Sequence, residues 1–303
     1  MSEIKKCFIS RWLENGRLLE TDFSQLEVIG VAHLSQDENL ITDIIEGKDM
    51  HCMSASFLYS VPYEEVYKAV KVDKDPVWIA RRKQAKGPSF QLQYGAGAKS
   101  IAASNKLTEE QANTFIANYY DRYSTLRMWQ EENIKAVKAS RRPSGKHTSS
   151  GYPLGIGYLH IATGRAFAFT EQEAPQWLQK RGEHTSFQPT QIKNYPSQGF
   201  ATGDIVPLCV GELYYALKAD EQLRHKALLI NTVHDSVLLD VHVDVLDKAV
   251  ATVERVFRSA PQLLKKHFDI DFHMPLNVSS SVGYNWGEME ELTTKPQPTR
   301  IAA

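Results

Sequence analysis

Long apolar runs are missing from this chain. No stretch of its 303 residues approaches the roughly 18 consecutive apolar residues of a membrane-crossing helix. The N-terminus, MSEIKKCFISRW, has no apolar core of signal-peptide length. The expectation is an intracellular protein with no membrane contact. Cysteine is scarce: Cys7, Cys52 and Cys209 stand far apart with no C-x-x-C pair, which argues against a disulfide framework or a zinc ribbon. An excess of either charge is absent too, since 35 Lys and Arg face 36 Asp and Glu for a net −1. The chain is therefore not held to nucleic acid by overall basicity, and any polyanion needs a local patch. What remains is ordinary: 42% apolar and 23% charged residues, enough chain for one large or two small domains.

Local patches exist. Pro76 to Thr108 carries no Asp or Glu but holds Arg81, Arg82, Lys83, Lys86, Lys99 and Lys106. A second acid-free run, Lys135 to His147, holds Lys135, Lys138, Arg141, Arg142 and Lys146. Each suits either a solvated face or a polyanion surface, and the uncharged neighbours decide.

The patterning predicts the elements in outline. Residues 17–22 (RLLETD) read as a short strand ending on an acid, and 25–34 as a short buried helix. Helical spacing covers 77–94. Thr108 and Gln111 form a capping box. It opens a helix in which Ala112, Phe115, Ile116, Tyr119, Tyr123 and Leu126 recur at three- and four-residue steps, running towards Ala139 until Pro143 and Gly145. Residues 143–170 read as loop and hairpin, and 202–219 as helix. Residues 227–233 and 236–241 are apolar runs flanking His234-Asp235, a β-hairpin with that dipeptide at its tip. An amphipathic helix over 244–267, a last strand over 273–284 and a loose tail from Glu288 complete the chain. Strands interrupted by a long helical run predict an α+β fold with an inserted helical subdomain.

Three constellations carry chemistry. Arg82, Lys86, Phe90 and Tyr94 are spaced by four, so they form one stripe along a helix. Two cations one turn apart suit a triphosphate, and a ring one turn further suits a sugar or base. The same stripe also suits an amphipathic helix with a basic rim. Asp22, in DFSQLE, ends a strand before a helix, a placement used for metal ligands and equally for surface acids. Asp235, in VHDS, lies between two apolar strands, where an acid calls for a cation or a partner, or is a plain turn residue. Two acids that met in space would hold two Mg²⁺ ions for a phosphoryl transfer.

Together these motifs resemble the C-terminal part of family A DNA polymerases, the family of bacterial DNA polymerase I and several phage replicases. DFSQLE (Asp22 to Glu27) is similar to motif A. RKQAKGPSFQLQYG, with Arg82, Lys86, Phe90, Tyr94 and Gly95, is similar to motif B, the O helix, and VHDS at 233–236 to motif C. GKDMH ending at His51, TGR at 163–165, NYPSQG with Asn194 and Gln198, and VGYNWG at 282–287 follow in family order. The resemblance implies an antiparallel palm sheet with a large inserted helical fingers subdomain. The palm would span 1–40 and 191–287, the fingers 41–190 with a hairpin insertion at 143–170, and a flexible tail 288–303.

It also implies template-directed DNA synthesis, with primer-template DNA and deoxynucleoside triphosphate (dNTP) as partners. The alternative is a non-catalytic DNA-binding accessory half. By resemblance, Asp22 and Asp235 bind two Mg²⁺ ions with the carbonyl of Phe23. Arg82, Lys86 and His51 hold the triphosphate, and Lys86 protonates the leaving pyrophosphate. Phe90 packs on the nucleotide, while Tyr94 pairs with Glu27, which excludes ribonucleotides. Asn194, Gln198 and His234 approach the primer.

Departures accompany the likeness. Motif C often has Glu where Ser236 stands, Thr190 takes the place of a DNA-contacting Arg with Lys193 as an imperfect substitute, and Gly87-Pro88 interrupts the O helix. Proline there predicts a kink, or a helix restarting at Pro88. Only 21 residues precede motif A. The expectation is one fragment of a split phage or plasmid replicase in the host cytoplasm, with a second polypeptide supplying thumb, early palm and an exonuclease.

Overall fold

A computed structural model describes residues 3–292. The chain opens with β1 (Gly16–Phe23) and α1 (Leu26–Ser35), then α2 (Glu38–Ile45), α3 (Met50–Tyr59), α4 (Tyr63–Tyr67) and α5 (Pro76–Gln93). There follow α6 (Ala98–Asn105), α7 (Glu109–Arg122), α8 (Ser124–Ala139), β2 (Arg142–His147), β3 (Pro153–His160) and β4 (Ala166–Thr170). Next come β5 (Gln172–Glu173), α9 (Gln176–Gln179), β6 (Thr185–Ser186), α10 (Pro189–Phe200) and α11 (Val206–Ala219). The last elements are β7 (Ala227–Val233), β8 (Ser236–His242), α12 (Leu246–Arg258), α13 (Ala260–Phe268), β9 (Val278–Asn285) and β10 (Glu288–Glu291). The chain divides into a sheet unit, residues 1–30 and 198–303, and a helical unit, residues 31–197. The α+β class is as expected.

In the sheet unit five strands run β10-β9-β1-β8-β7, all neighbours antiparallel. The central strand β1 turns Leu19, Thr21 and Phe23 inward, each at most 2% exposed, and leaves Glu20 and Asp22 on the other face. Phe23 stacks on Phe257 of α12 with ring centroids 4.7 Å apart. Beneath the strand a buried polar chain runs from Thr21 Oγ1 to Ser280 Oγ at 3.0 Å. Ser280 Oγ in turn donates to Glu254 Oε1 at 3.0 Å, and Arg258 pairs with Glu254 at 2.9 Å. Every buried polar atom of that chain has a partner, which is what burial of such groups requires.

The hairpin at 227–241 and the strand over 17–22 formed as predicted. Two C-terminal expectations need correcting. The helix over 244–267 is two helices, α12 and α13, broken at Ser259 ahead of Pro261, whose ring cannot continue an α12 hydrogen-bond ladder. Residues 288–291 are strand β10, paired with β9, and not part of a tail. The remainder of that tail, 293–303, lies outside the described residues.

In the helical unit the capping box is present: Gln111 N donates to Thr108 Oγ1 and Thr108 N to Gln111 Oε1. The long helix expected from there towards Ala139 breaks at Tyr123, whose backbone (φ −109°, ψ 60°) leaves the helical region. Two buried acids from α2 and its approach explain the break. Asp37 accepts from Leu40 N in α2 and also from Leu126 N, capping α8 from a distance. Asp43, fully buried, takes a forked pair from Arg122, a bond from the Tyr123 hydroxyl and an ion pair from Lys48. Burial alone would raise the Asp43 carboxyl, but these donors hold it below the usual carboxylate range. Asp43→Asn should cost about 3–4 kcal/mol, the lower part of what breaking a buried ion pair costs because water reaches Arg122. Chemical denaturation would read it, and an unchanged midpoint would refute the assignment.

Helix α5 is unbroken from Pro76 to Gln93, so the chain does not restart at Pro88. Ala85, Pro88 and Leu92 are its buried face, and the ring of Pro88 is packed inward as an apolar core group.

Candidate active site

One group of candidate residues, the acidic one, lies in the sheet unit. Antiparallel pairing of β1 with β8 puts Asp22 opposite Ser236, and Phe23 N donates to the carbonyl of Asp235 at 3.4 Å. The two acids, far apart in sequence, therefore lie together at the end of the central strand pair. The β7–β8 loop is two residues long, and its first, His234, has φ +54°, a strained value for a residue with a side chain. His234 is exposed at this tip. Phe23 has its ring in the core, so its carbonyl is what it can offer the site.

Asp22 Oδ1 is buried and has no hydrogen-bond partner. Burial first, then the neighbouring Asp235 and Glu20 carboxylates, push Asp22 up to about 7. An uncompensated buried carboxylate beside like charges is what a cation relieves, so these residues fit a divalent ion. Among the described residues no group of three or more His, Cys, Asp or Glu is poised to hold a metal. The pair is what the chain supplies, and Mg²⁺ ordinarily takes one or two carboxylates with water and substrate phosphates.

The folded chain holds the Asp22 proton more tightly than the unfolded chain does. Stability of the metal-free protein therefore falls as pH rises from the ordinary carboxylate range through about 7. Asp22→Asn removes that loss. Calorimetry without metal should show the variant melting above wild type at pH 8, by on the order of 2–4 °C, with the gap closing towards pH 4. A gap independent of pH would refute the shift.

A second, cationic group of candidate residues lies in the helical unit. The stripe expected on α5 exists, opposite the face buried through Ala85, Pro88 and Leu92. Phe90 and Tyr94 remain 36% and 37% exposed, too open for core rings. Lys86 Nζ lies 5.6 Å from the Phe90 ring centroid and pairs with no carboxylate among the described residues. His51, in the first turn of α3, is 6.0 Å from the Phe90 ring. Burial, then the Arg82 and Lys86 charges, hold His51 below the usual histidine range, so it is neutral at pH 7. Arg82 is engaged differently from expectation: its guanidinium forks onto Asp49, at 3.1 and 2.8 Å. Asp49 also caps α3 through His51 N and Cys52 N and pairs with Lys71 at 2.9 Å. Against the effect of burial, Arg82 and Lys71 hold the Asp49 carboxyl well below its usual range.

His51, Arg82, Lys86 and Phe90 are thus brought together. Gly95 has φ +78°, and a side chain there would meet Thr190 Cα at 2.9 Å, so this glycine is needed for α10 to pass. Thr190 therefore serves packing, while Lys193 sits half-buried with its ammonium 5.7 Å from the Tyr120 ring. Asn194 and Gln198 lie four residues apart on α10, both half-buried. Glu27 is in the first turn of α1.

Sequence reasoning missed Asp49, Lys71 and Glu20. Asp49 had a signal, an Asp directly before a helix. Glu20 had one as well, two residues before Asp22 and so on the same strand face.

Comparison with known proteins speaks to the family and the fold. The chain is 28% identical over 289 residues to thermostable DNA polymerase I of Thermus aquaticus, covering 95% of this chain and 29% of that protein. It is 27% identical over 286 residues to DNA polymerase I of Lactococcus lactis subsp. lactis, covering 94% and 27%. The chain thus spans under a third of the length of these curated relatives. Their single long chains lend no support to the expected second polypeptide. Among solved structures, the POL domain of Pol1 from M. smegmatis, in complex with DNA primer-template and dNTP, shares the fold. Its TM-score is 0.64 at 24% identity, over 93% of this chain and 42% of that one. No helix among the described residues is long and apolar enough to cross a membrane. The model of DNA polymerase family A matches residues 1–288, and the chain belongs to that family.

Proposed function

We propose that the chain is the catalytic portion of a template-directed DNA polymerase, transferring a nucleotidyl group from dNTP to a primer 3′-hydroxyl. The observation that carries this reading is the buried, unpartnered oxygen of Asp22 beside Asp235. A DNA-binding accessory half gains nothing from such a pair, which repels phosphates and destabilises the metal-free fold at neutral pH.

Asp22 and Asp235, with the Phe23 carbonyl, would hold the divalent ions. When bound, two Mg²⁺ ions supply charge neutralisation to the attacking and leaving oxygens of an in-line displacement. Lys86, a cation with no counter-ion among the described residues, meets the triphosphate, neutralises charge developing on the leaving pyrophosphate and can give it a proton at Nζ. Arg82 is pre-oriented by Asp49 for the same anion. Neutral His51 donates a hydrogen bond to a phosphate oxygen without competing for its charge. Phe90, open on one side, offers its ring to the nucleotide, and Glu27 with Tyr94 selects the sugar. Asn194, Gln198 and His234 are assigned to the primer. The setting is DNA replication in the cytoplasm of a bacterium or of a phage-infected host.

Template-directed incorporation of a labelled dNTP tests the reading. The purified chain should extend a primer only by the complementary nucleotide and only with a divalent ion present. Tight DNA binding with no incorporation under any divalent ion would favour the accessory role.

A further inference from the structure

Glu20 and Asp22 are two residues apart on β1 and share its face, because side chains alternate along a strand. Two neighbours fix the Glu20 carboxylate. Ser236 Oγ donates to Glu20 Oε1 at 3.2 Å, and the Trp286 indole N–H donates to the same oxygen at 3.3 Å. Ser236 is also the residue paired with Asp22 across the β1–β8 ladder. Both anchoring bonds land on Oε1, which leaves Oε2 with no hydrogen bond among the described residues.

A half-buried carboxylate held beside two further carboxylates repels them, and a fold keeps such an arrangement when a cation compensates it. Direct ligation by all three is not what the geometry offers, since no three acidic side chains among the described residues close on one point. A role one shell out fits better. Residues that fix and charge-balance metal ligands without touching the ion commonly set its affinity. Two divalent ions bring four positive charges, of which Asp22 and Asp235 balance two.

We propose that Glu20 is a positioning residue of the metal site. Its carboxylate, anchored by Ser236 and Trp286, accepts from water carried by the ion that Asp22 and Asp235 hold, and supplies charge that this pair lacks. The inference rests on the reading of Asp22 and Asp235 as metal ligands. Ser236 is then the clamp on an acid supplied by the neighbouring strand.

Mn²⁺ binding to the full chain, measured by calorimetry and electron paramagnetic resonance without DNA, tests this apart from activity. Glu20→Gln keeps an oxygen able to accept from Ser236 and Trp286 but removes the charge. It is expected to weaken Mn²⁺ binding by about tenfold or more, while the melting midpoint without metal does not fall, since the lost charge also relieves repulsion on Asp22. Ser236→Ala, which frees the carboxylate, should weaken it in the same direction. Wild-type affinity in Glu20→Gln, with binding lost in Asp22→Asn, would overturn the role of Glu20 alone. Equal binding, or none, in wild type and Asp22→Asn would overturn the metal reading itself.

Discussion

Asp22→Asn and Asp235→Asn are each expected to lower primer extension on the order of 10³-fold or more while DNA binding survives or tightens. Two bound divalent ions would contribute several kcal/mol of transition-state charge stabilisation, and each 1.4 kcal/mol is a factor of ten in rate. An amide keeps the shape of the carboxylate and a carbonyl oxygen but not the charge. The two acids are not equivalent in the resting protein. Asp22 carries the buried oxygen and the raised pKa, so its replacement relieves repulsion and should raise melting at pH 8 while removing activity. Gain of stability with loss of turnover in one variant identifies a residue kept for function. Single-turnover extension, DNA affinity by fluorescence anisotropy and melting would be measured on the same preparations. Retention of most activity in either variant would remove the two-carboxylate site.

Lys86→Ala should lower kcat/KM for dNTP by about 10²–10³-fold, the usual loss when one preorganised donor to a developing anion is removed. Primer-template affinity should change little. The contrast with Arg82 makes the prediction specific. Arg82 is bonded to Asp49, which also caps α3 and holds Lys71. Arg82→Ala leaves a half-buried carboxylate short of its main partner, so melting should drop along with catalysis. Lys86 has no such partner among the described residues, and its removal should leave melting at the wild-type value. Lys86→Ala that destabilised the fold as much as Arg82→Ala, or weakened DNA rather than nucleotide, would assign Lys86 to packing or to the DNA surface.

Local patterns carried far in this chain. The hairpin over 227–241 was legible because two apolar runs flank a polar dipeptide, and only a turn accommodates that. The capping box at Thr108 and Gln111 and the stripe on α5 were legible because helical periodicity is a property of neighbours in sequence. The break at Tyr123 was not, because it is imposed by Asp37 and Asp43, two acids that reach Leu126, Arg122 and Tyr123 only after α2 has docked. Strand β10 was hidden for a related reason. EMEE has no apolar alternation of its own and becomes a strand because β9 offers an unpaired edge. The restart at Pro88, one of the two outcomes expected there, does not occur: the proline is accepted in a helix whose buried face takes an apolar group at that position.

By itself, then, the order of residues determined the chemical inventory: which acids, cations and rings, at which spacings, on which elements. Those depend on covalent neighbours and on the two periods of regular backbone. Only tertiary structure decided what each group experiences. Asp22 becomes a high-pKa carboxylate because β8 brings Asp235 alongside and burial strips its water. Arg82 becomes an ordered fork because Asp49 caps another helix, and Glu20 is fixed beside Asp22 because Ser236 of β8 and Trp286 of the β9–β10 turn reach it. Desolvation and Coulomb interactions act through space over a few ångströms, and the chain sets those distances only by folding.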